Sequence, residues 1–208
     1  VFGAMVVAAL LCKNSVRNKF FRSIYFLPVI CSATAIGVMW KMILHSNIGL
    51  ITYLLRAMGF GKINFLNPPG LTIFVVAFIS IWRSFGISVI IYVTAIQQID
   101  SAMYEAAELD GATFFQKVRY IVWPLVKPTT LFLLVTGVIG SFQVFMNAYM
   151  MTGGGPDNAT TMIGLLIYNN AFVYGKYGLA CAQAILLAIA IAIMSLFQFR
   201  LMGVDVEY

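Results

Sequence analysis

The chain has 208 residues, of which 62% are hydrophobic and only 10% charged, and it carries a formal net charge of +6. Soluble domains have about half apolar and a quarter charged residues, so these proportions exclude an ordinary soluble protein. Apolar stretches of about 20 residues instead predict an all-α polytopic membrane protein, because a helix of that length crosses about 30 Å of hydrocarbon. The short alternating strands of a membrane barrel do not occur.

The apolar stretches predict about five membrane-spanning helices in a single transmembrane domain, 1–208. The sequence begins inside the first apolar stretch, so we expect this domain to be truncated at its N-terminus. Pro28 predicts a kink or break in the second span, because proline lacks the amide hydrogen that a helix uses. A short polar tail follows the last span. The predicted spans cover 1–11, 23–44, 71–96, 129–151 and 179–199.

The distribution of lysine and arginine predicts which side of the membrane each segment faces, because cytoplasmic loops retain these residues. One side collects eight of them, from the first loop, the charged segment 97–127 and the tail. The other side, with 45–70 and 152–178, collects four, counting one at the edge of the second span. This bias places 97–127 in the cytoplasm. The eight are Lys13, Arg17, Lys19, Arg22, Lys117, Arg119, Lys127 and Arg200, and the four are Lys41, Arg56, Lys62 and Lys176.

The segment 97–127 holds four of the seven acidic residues and predicts a helix, a tight turn and a second helix. Asp100 or Ser101 can cap the first helix by accepting the free amide hydrogens at its start. Good helix formers follow at 102–109, and Gly111 supplies the left-handed residue that commonly ends a helix.

The second short helix is predicted from Thr113 and Gln116, whose spacing is typical of a capping box. We expect this helix to continue through Tyr120 and to end at Pro124. The two helices would project from the membrane surface.

The first predicted helix presents a surface that favours contact with a partner protein. Ala106 and Ala107 are too small to keep another surface away from the backbone, and Glu105 and Glu108, one turn apart, can meet basic groups on it. A solvated loop helix would show the same capping signals, so the caps alone leave both interpretations open.

The spacing of the segment favours the partner surface. Glu-Ala-Ala at 105–107, followed by Gly111, Ile121 and Pro124, resembles the cytoplasmic signature of the membrane subunits of binding-protein-dependent ABC importers. Trp123 departs from the pattern, since the family usually has leucine there. The resemblance implies a coupling element that sits in a cleft of a cytoplasmic ATPase. Its expected residues are Glu105, Ala106, Ala107, Asp110, Gly111, Ile121 and Pro124.

Further stretches are similar to the carbohydrate branch of this family, the maltose- and glycerol-phosphate-like permeases. The resemblance implies a multi-pass protein of the bacterial inner membrane with six spans in a complete chain, which translocates a sugar or oligosaccharide. Expected partners are the lipid bilayer, a dimer of cytoplasmic ATPases, a second homologous permease and an extracytoplasmic binding protein that docks on 45–70 and 152–178, but no nucleic acid. The similar stretches are 21–28, 48–52, Trp82, 152–156 and 177–180.

No catalytic residue and no bound cofactor are expected on this chain. It lacks a Gly-rich phosphate loop with lysine and serine or threonine, so ATP and Mg²⁺ are expected in the separate ATPase. Cys12, Cys31 and Cys181 are interpreted as small hydrophobic residues, with no disulfide and no metal site.

Polar and aromatic residues within the spans are candidates for the substrate pathway. Neutral hydrogen-bonding groups beside aromatic faces suit a sugar, whose hydroxyl groups need partners and whose C–H faces stack on rings. Each residue alone also fits packing and hydrogen bonding between helices. The candidates are Trp82, Ser84, Gly137, Ser141, Gln143, Asn147 and Tyr149.

Arg83 is the charged residue in the middle of a predicted span, and a charge at that depth is a functional hypothesis. It either lines the translocation pathway or extends to an interface. An anionic solute such as a glycerol phosphate therefore stays an alternative substrate.

Two other classes of protein remain as alternatives. An ion-coupled carrier would need no ATPase, but none of the seven carboxylates lies inside a predicted span to carry a proton, although sodium can be bound by backbone carbonyls. A membrane-embedded enzyme would need Asp100, Glu105, Glu108 and Asp110 as a metal site, which is disfavoured because no histidine accompanies them.

Overall fold

The computed structural model describes residues 1–202, and over this range the backbone forms twelve α-helices, two π-helical segments and no β-strand. This confirms the predicted all-α class. The end of the predicted polar tail, 203–208, lies outside the described residues. The helices are α1 (Phe2–Leu11), α2 (Val16–Ile30), α3 (Ala33–Ile43), α4 (Leu50–Ala57), α5 (Pro69–Gln97), α6 (Ser101–Leu109), α7 (Phe114–Lys117), α8 (Trp123–Leu125), α9 (Lys127–Phe142), α10 (Met146–Met151), α11 (Ile163–Tyr168) and α12 (Tyr177–Met202), and the π-helical segments are Val118–Val122 and Asn169–Val173.

Two helices, α5 and α12, are each long and apolar enough to cross a membrane. They confirm the predicted spans at 71–96 and 179–199. The 29 residues of α5 extend over roughly 43 Å, more than the hydrocarbon core of a bilayer. Large apolar side chains such as Phe74, Phe78 and Ile189 are exposed on these helices, as expected of surfaces that face lipid.

The predicted second span is two helices rather than one. α2 continues through Pro28 and ends at Ile30, and the side chain of Ser32 then accepts a hydrogen bond from the amide of Ala35 to start α3. The break therefore lies at the capping serine, a few residues after the proline, because a cap satisfies the free amides of a new helix.

The predicted fourth span is also broken. α9 begins before the predicted start, at Lys127, and ends at Phe142, and α10 begins at Met146. Within 1–202, two helices can cross a membrane, or up to four when each bent pair is counted as one span. The bent pairs are Val16–Ile30 with Ala33–Ile43 and Phe114–Leu125 with Lys127–Phe142. The predicted total of about five also includes α1, whose ten residues are too short to cross a bilayer alone.

The chain divides into two compact units, to which α5, α9 and α12 each contribute residues. Unit 1 consists of 1–30, 83–138 and the end of the chain from 194. Its core is apolar, with Val89, Val122 and Val126 fully or almost fully buried. Within this core the Tyr92 hydroxyl donates a hydrogen bond of 2.8 Å to Thr130 Oγ1.

Two contacts with backbone carbonyls hold helices of unit 1 together. Gly86 of α5 meets α2 so closely that an added Cβ would lie 1.9 Å from the Tyr25 carbonyl oxygen. Arg22 of α2 donates hydrogen bonds to the carbonyls of Leu11 and Cys12, which end α1. A cation at this position satisfies carbonyls that have no partner within α1.

Unit 2 consists of 31–82 and 139–193 and has its own apolar core. Val76 and Ile79 of α5 are fully buried in this core. α10 lies against α3, where an added Cβ on Gly37 would be 2.9 Å from Met150 Cβ. The interior of this unit therefore depends on small residues as well as on apolar burial.

Candidate functional site

The first helix of the charged segment has the predicted caps. The Asp100 side chain accepts a hydrogen bond of 3.0 Å from the amide of Ala102, which starts α6. Gly111 has a φ of +71°, in the left-handed region. Glycine adopts this conformation without the steric cost that a Cβ would add. The chain can therefore reverse directly after α6.

The second helix begins with the predicted capping box, but it does not end at Pro124. Thr113 and Gln116 exchange hydrogen bonds between their side chains and backbone amides. α7 continues through the π-helical segment Val118–Val122, and Pro124 lies in the first turn of α8. A proline inside a continuous helix lacks an amide hydrogen and crowds the preceding turn, and the preceding turn here is the π-helical segment. The helix instead bends at Val126, by 73° into α9.

An ion pair joins the two helices of the loop. Lys117 Nζ donates to Glu108 Oε1 at 2.8 Å. The hydrogen bond and the nearby ammonium charge lower the pKa of the Glu108 carboxyl below its usual range. Glu108 is thus paired within the loop, whereas the sequence suggested that it meets a partner. The sequence signal that could have predicted this ion pair is the presence of opposite charges, Glu108 and Lys117, on the two sides of the turn at Gly111.

The predicted coupling residues lie mostly on the exposed side of this loop. Five of them are exposed, and the remaining two, Ala107 and Ile121, are half-buried. The Glu105 side chain makes no hydrogen bond or ion pair with any residue in 1–202. Its carboxylate is therefore available to an external cation. The five exposed residues are Glu105, Ala106, Asp110, Gly111 and Pro124.

Tyr104 attaches α6 to the core of unit 1, which sequence reasoning did not predict. Its ring is half-buried and, like the side chain of Cys12, packs against the apolar core. Burial of its hydroxyl raises its pKa, because the charged phenolate is disfavoured away from water. The hydroxyl has no hydrogen-bond partner among the residues that the structure describes. The attachment is therefore apolar.

Asn147 is the best-defined substrate candidate in unit 2. It is buried at the start of α10, and its Nδ2 donates a hydrogen bond of 3.0 Å to Ser80 Oγ of α5. The Oδ1 atom is buried and has no partner among the described residues. Trp82, two residues after Ser80, packs edge-to-face on Trp40 with 5.6 Å between ring centroids. Ser80 and Trp40 were not predicted.

Tyr149 belongs to an aromatic cluster in unit 2. Its ring stacks on Phe145 at 5.4 Å between centroids and 15° between planes, and it contacts Tyr168 at 5.5 Å. Tyr149 is 39% exposed, so part of this cluster is accessible. Neither Phe145 nor Tyr168 was among the predicted residues.

The remaining candidates are divided between the two units. Arg83, Ser84 and Gly137 belong to unit 1, whereas Ser141 and Gln143 belong to unit 2. All except Arg83 are exposed. Arg83 is half-buried, and its buried Nε has no hydrogen-bond partner within 1–202.

The family follows from the whole sequence. Residues 1–203 match the family described as the inner membrane component of binding-protein-dependent transport systems. The chain belongs to this family. It is therefore a membrane permease subunit, and membership decides against the ion-coupled carrier. Within 1–202, moreover, no group of three or more His, Cys, Asp or Glu side chains is placed to hold a metal ion, as the membrane-enzyme alternative would require.

Two curated relatives match almost all of this permease. It is 35% identical to the probable ABC transporter permease protein YurN of Bacillus subtilis, over 96% of this chain and 70% of the relative. It is 30% identical to the sn-glycerol-3-phosphate transport system permease protein UgpA of Agrobacterium fabrum, over 99% of this chain and 71% of that relative.

The fold of the permease also matches a solved transporter. The structure is a bacterial alginate ABC transporter in complex with a periplasmic protein that holds an alginate pentasaccharide. The match has a TM-score of 0.87 and 25% identity, and it covers 96% of this chain and 70% of the other. The helix order described above is therefore that of an ABC importer transmembrane domain.

Proposed function

We propose that this permease translocates a sugar or oligosaccharide that an extracytoplasmic binding protein delivers. A dimer of cytoplasmic ATPases hydrolyses ATP with Mg²⁺, and a second homologous permease completes the pathway. The chain described here binds no cofactor, because its task is to hold the pathway and to respond to the ATPases.

The observation that carries the proposal is the exposed, unpaired carboxylate of Glu105 on a helix that is fixed on both sides. Asp100 caps α6 at its start, and the Glu108–Lys117 pair joins it to α7. A helix held in this way presents its small residue Ala106 and the Glu105 carboxylate to a partner without further ordering. A basic cleft of an ATPase is the complementary surface.

The mechanism follows from how this loop continues into the membrane. α6 directly follows α5, and the π-helical segment after α7 contributes Val118 and Val122 to the core of unit 1. Closure of the ATPases on α6 therefore displaces packed helices rather than a free loop. The spans respond by exchanging inward-open and outward-open arrangements.

The proposed substrate class rests on the polar and aromatic groups of unit 2. Asn147 has a carbonyl oxygen without a partner, and the rings of Phe145, Tyr149 and Tyr168 form a partly exposed cluster. A sugar can donate hydrogen bonds from its hydroxyl groups to the Asn147 oxygen and can stack its C–H faces on the aromatic cluster. The alginate transporter is a fold relative whose binding protein holds a pentasaccharide.

A charge reversal at Glu105 tests the proposed function. The permease is assembled with its partner permease and ATPases in proteoliposomes, and uptake and ATP hydrolysis are measured with sugar-loaded binding protein. We expect Glu105→Lys to lower uptake by about tenfold or more, because repulsion replaces an ionic contact at the ATPase cleft. Arg119→Gln, which changes an exposed charge in the same loop, serves as the matched control and is expected to retain uptake.

Two results would contradict the proposal. Full uptake and stimulated hydrolysis in the Glu105→Lys complex would show that this carboxylate does not couple the subunits. Uptake by wild-type proteoliposomes without ATP would show that the chain is not powered by the ATPases.

A glycerol phosphate or another small polar solute is the second candidate substrate. It is favoured by the half-buried Arg83, whose Nε has no partner within 1–202, and by the similarity to a glycerol-3-phosphate permease. Competition separates the two candidates. Unlabelled oligosaccharide blocks uptake of labelled sugar if the first candidate is correct, whereas glycerol phosphate must drive and saturate uptake if the second is correct.

A further inference from the structure

A polar cleft of about 430 Å³ lies within unit 2, beside the segment that leads into α5. Leu44 and Met151 are buried and form its floor. The polar residues that line it come from three parts of the unit: the end of α3, the segment before α5 and the run after α10. They are Lys41, His45, Ser46, Asn64, Asn67 and Thr152.

One wall of this cleft is held rigidly by hydroxyl groups. Thr152 Oγ1 lies 2.6 Å from Thr160 Oγ1, and Thr160 Oγ1 also donates to the Gly155 carbonyl at 2.8 Å. The Gly155 amide in turn donates to the Thr152 carbonyl at 3.1 Å. Because these bonds fix the wall, a ligand would not have to order it.

Three of the polar residues that line the cleft offer hydrogen-bond donors to a ligand. His45 Nδ1 accepts from the amide of Asn47 at 3.2 Å, so the neutral ring carries its hydrogen on Nε2. Asn64 Oδ1 accepts from the amide of Leu66 at 3.4 Å, which leaves its NH₂ group as a donor. The ammonium of Lys41 makes no ion pair within 1–202. Several donors with one fixed cation suit an acceptor-only group, such as a carboxylate.

The predicted outer side of the permease is basic beyond this cleft. It carries Arg56, Lys62 and Lys176 in addition to Lys41, against the single carboxylate Asp157. The cleft belongs to this side because Asn64 and Asn67 precede the N-terminus of α5, whereas the charged loop follows its C-terminus. A protein that docks here meets a positive field, which favours an acidic surface on the incoming partner.

We propose that this cleft is the docking site for an aspartate or glutamate side chain on a loop of the extracytoplasmic binding protein. The inference rests on the proposed function, which supplies such a partner. Lys41 is the principal contact, and the Asn64 amide and His45 Nε2–H complete the site. The carboxylate of an acidic sugar shares this chemistry, and the experiment separates the two sources.

The test measures docking of sugar-loaded binding protein to the complete transporter in nanodiscs, at low and high salt. We expect Lys41→Gln to weaken docking by roughly threefold to fivefold at low salt and to reduce its salt dependence. Lys62→Gln is the matched control, because Lys62 is exposed on the same predicted side but does not line the cleft. Docking of this variant is expected to stay within about 1.5-fold of wild type.

The other outcomes overturn the inference. Equal losses of docking in Lys41→Gln and Lys62→Gln would assign the effect to the positive charge of the whole outer surface rather than to the cleft. Unchanged docking of Lys41→Gln would show that Lys41 does not contact the binding protein. If free glucuronate bound the transporter without binding protein, and Lys41→Gln abolished only that binding, the site would belong to substrate. Failure of wild-type docking would instead overturn the proposed function itself.

Discussion

Single residues decide where the helices of the charged loop begin and how they are joined. The caps at Asp100 and Thr113 and the turn at Gly111 were predictable, because each acts on amides within a few residues of itself. The Glu108–Lys117 pair was not predicted, since its residues lie nine positions apart and meet only after the turn has formed. Glu108 and Glu105 are one turn apart on α6, yet Glu108 pairs with Lys117 within the loop whereas the Glu105 side chain is unpaired within 1–202.

At this scale, acidification is expected to weaken the joint between α6 and α7. The lowered pKa of Glu108 means that its pairing stabilises the folded loop at pH values above the usual pKa of about 4.5. This stabilisation is lost as the pH falls through the lowered pKa, because the neutral carboxyl no longer holds Lys117.

The measurement compares thermal unfolding of wild type and Glu108→Gln in detergent from neutral to acidic pH. Wild type is expected to melt higher near pH 7, and the difference is expected to shrink as the carboxyl is protonated. Glu105→Gln is the control, since Glu105 is unpaired within 1–202. An unchanged difference at acidic pH would show that the pair does not stabilise the loop.

At the scale of elements, the position of α6 depends on how few of its residues reach the core. Only Tyr104 and Ala107 are half-buried, and the rest of the helix is exposed. The existence of α6 could be predicted from its sequence, but its attachment could not, because Tyr104 packs against a core that distant segments such as α1 and α5 build. The π-helical segment Val118–Val122 was missed for a related reason, since nothing local distinguishes it from an α-helix.

We expect Tyr104→Ala to disconnect α6 from the core. Loss of a half-buried ring is expected to cost about 1 to 3 kcal/mol, less than a fully buried aromatic, and to lower uptake per ATP hydrolysed by about tenfold. Tyr104→Phe is expected to retain coupling, because the hydroxyl has no hydrogen-bond partner in 1–202. Tyr120→Ala is the matched control, since this tyrosine of the same loop is 71% exposed. If uptake per ATP hydrolysed is the same in Tyr104→Ala and Tyr120→Ala, Tyr104 does not attach α6 to the core.

For the whole molecule, composition and span length were enough to predict a helical membrane protein, but not its broken helices. The break after α9 separates Ser141 and Gln143 from α10, and Asn147 pairs with Ser80, a contact across 67 positions that no local pattern encodes. The substrate candidates that share this stretch of sequence therefore do not lie on one continuous helix.

The predicted sidedness of the permease can be measured directly. In a variant with Cys12, Cys31 and Cys181 replaced by serine, a single cysteine is introduced at Lys62 or Arg119, both exposed. A membrane-impermeant maleimide is expected to label Lys62→Cys in cells whose outer membrane has been permeabilised. It is expected to label Arg119→Cys only after the inner membrane is also disrupted. The reverse pattern would place the charged loop outside the cytoplasm.

The contact of Gly86 with the Tyr25 carbonyl makes the crossing of α5 and α2 a fulcrum. Because the two backbones approach so closely there, a slide of one helix along the other would disturb this contact more than a change of the angle between them. The part of α5 from Gly86 to Gln97, which lies within unit 1, is about 16 Å long and ends where the charged loop begins. A displacement of the charged loop would therefore reach α2 as a change of the angle at which α5 and α2 cross.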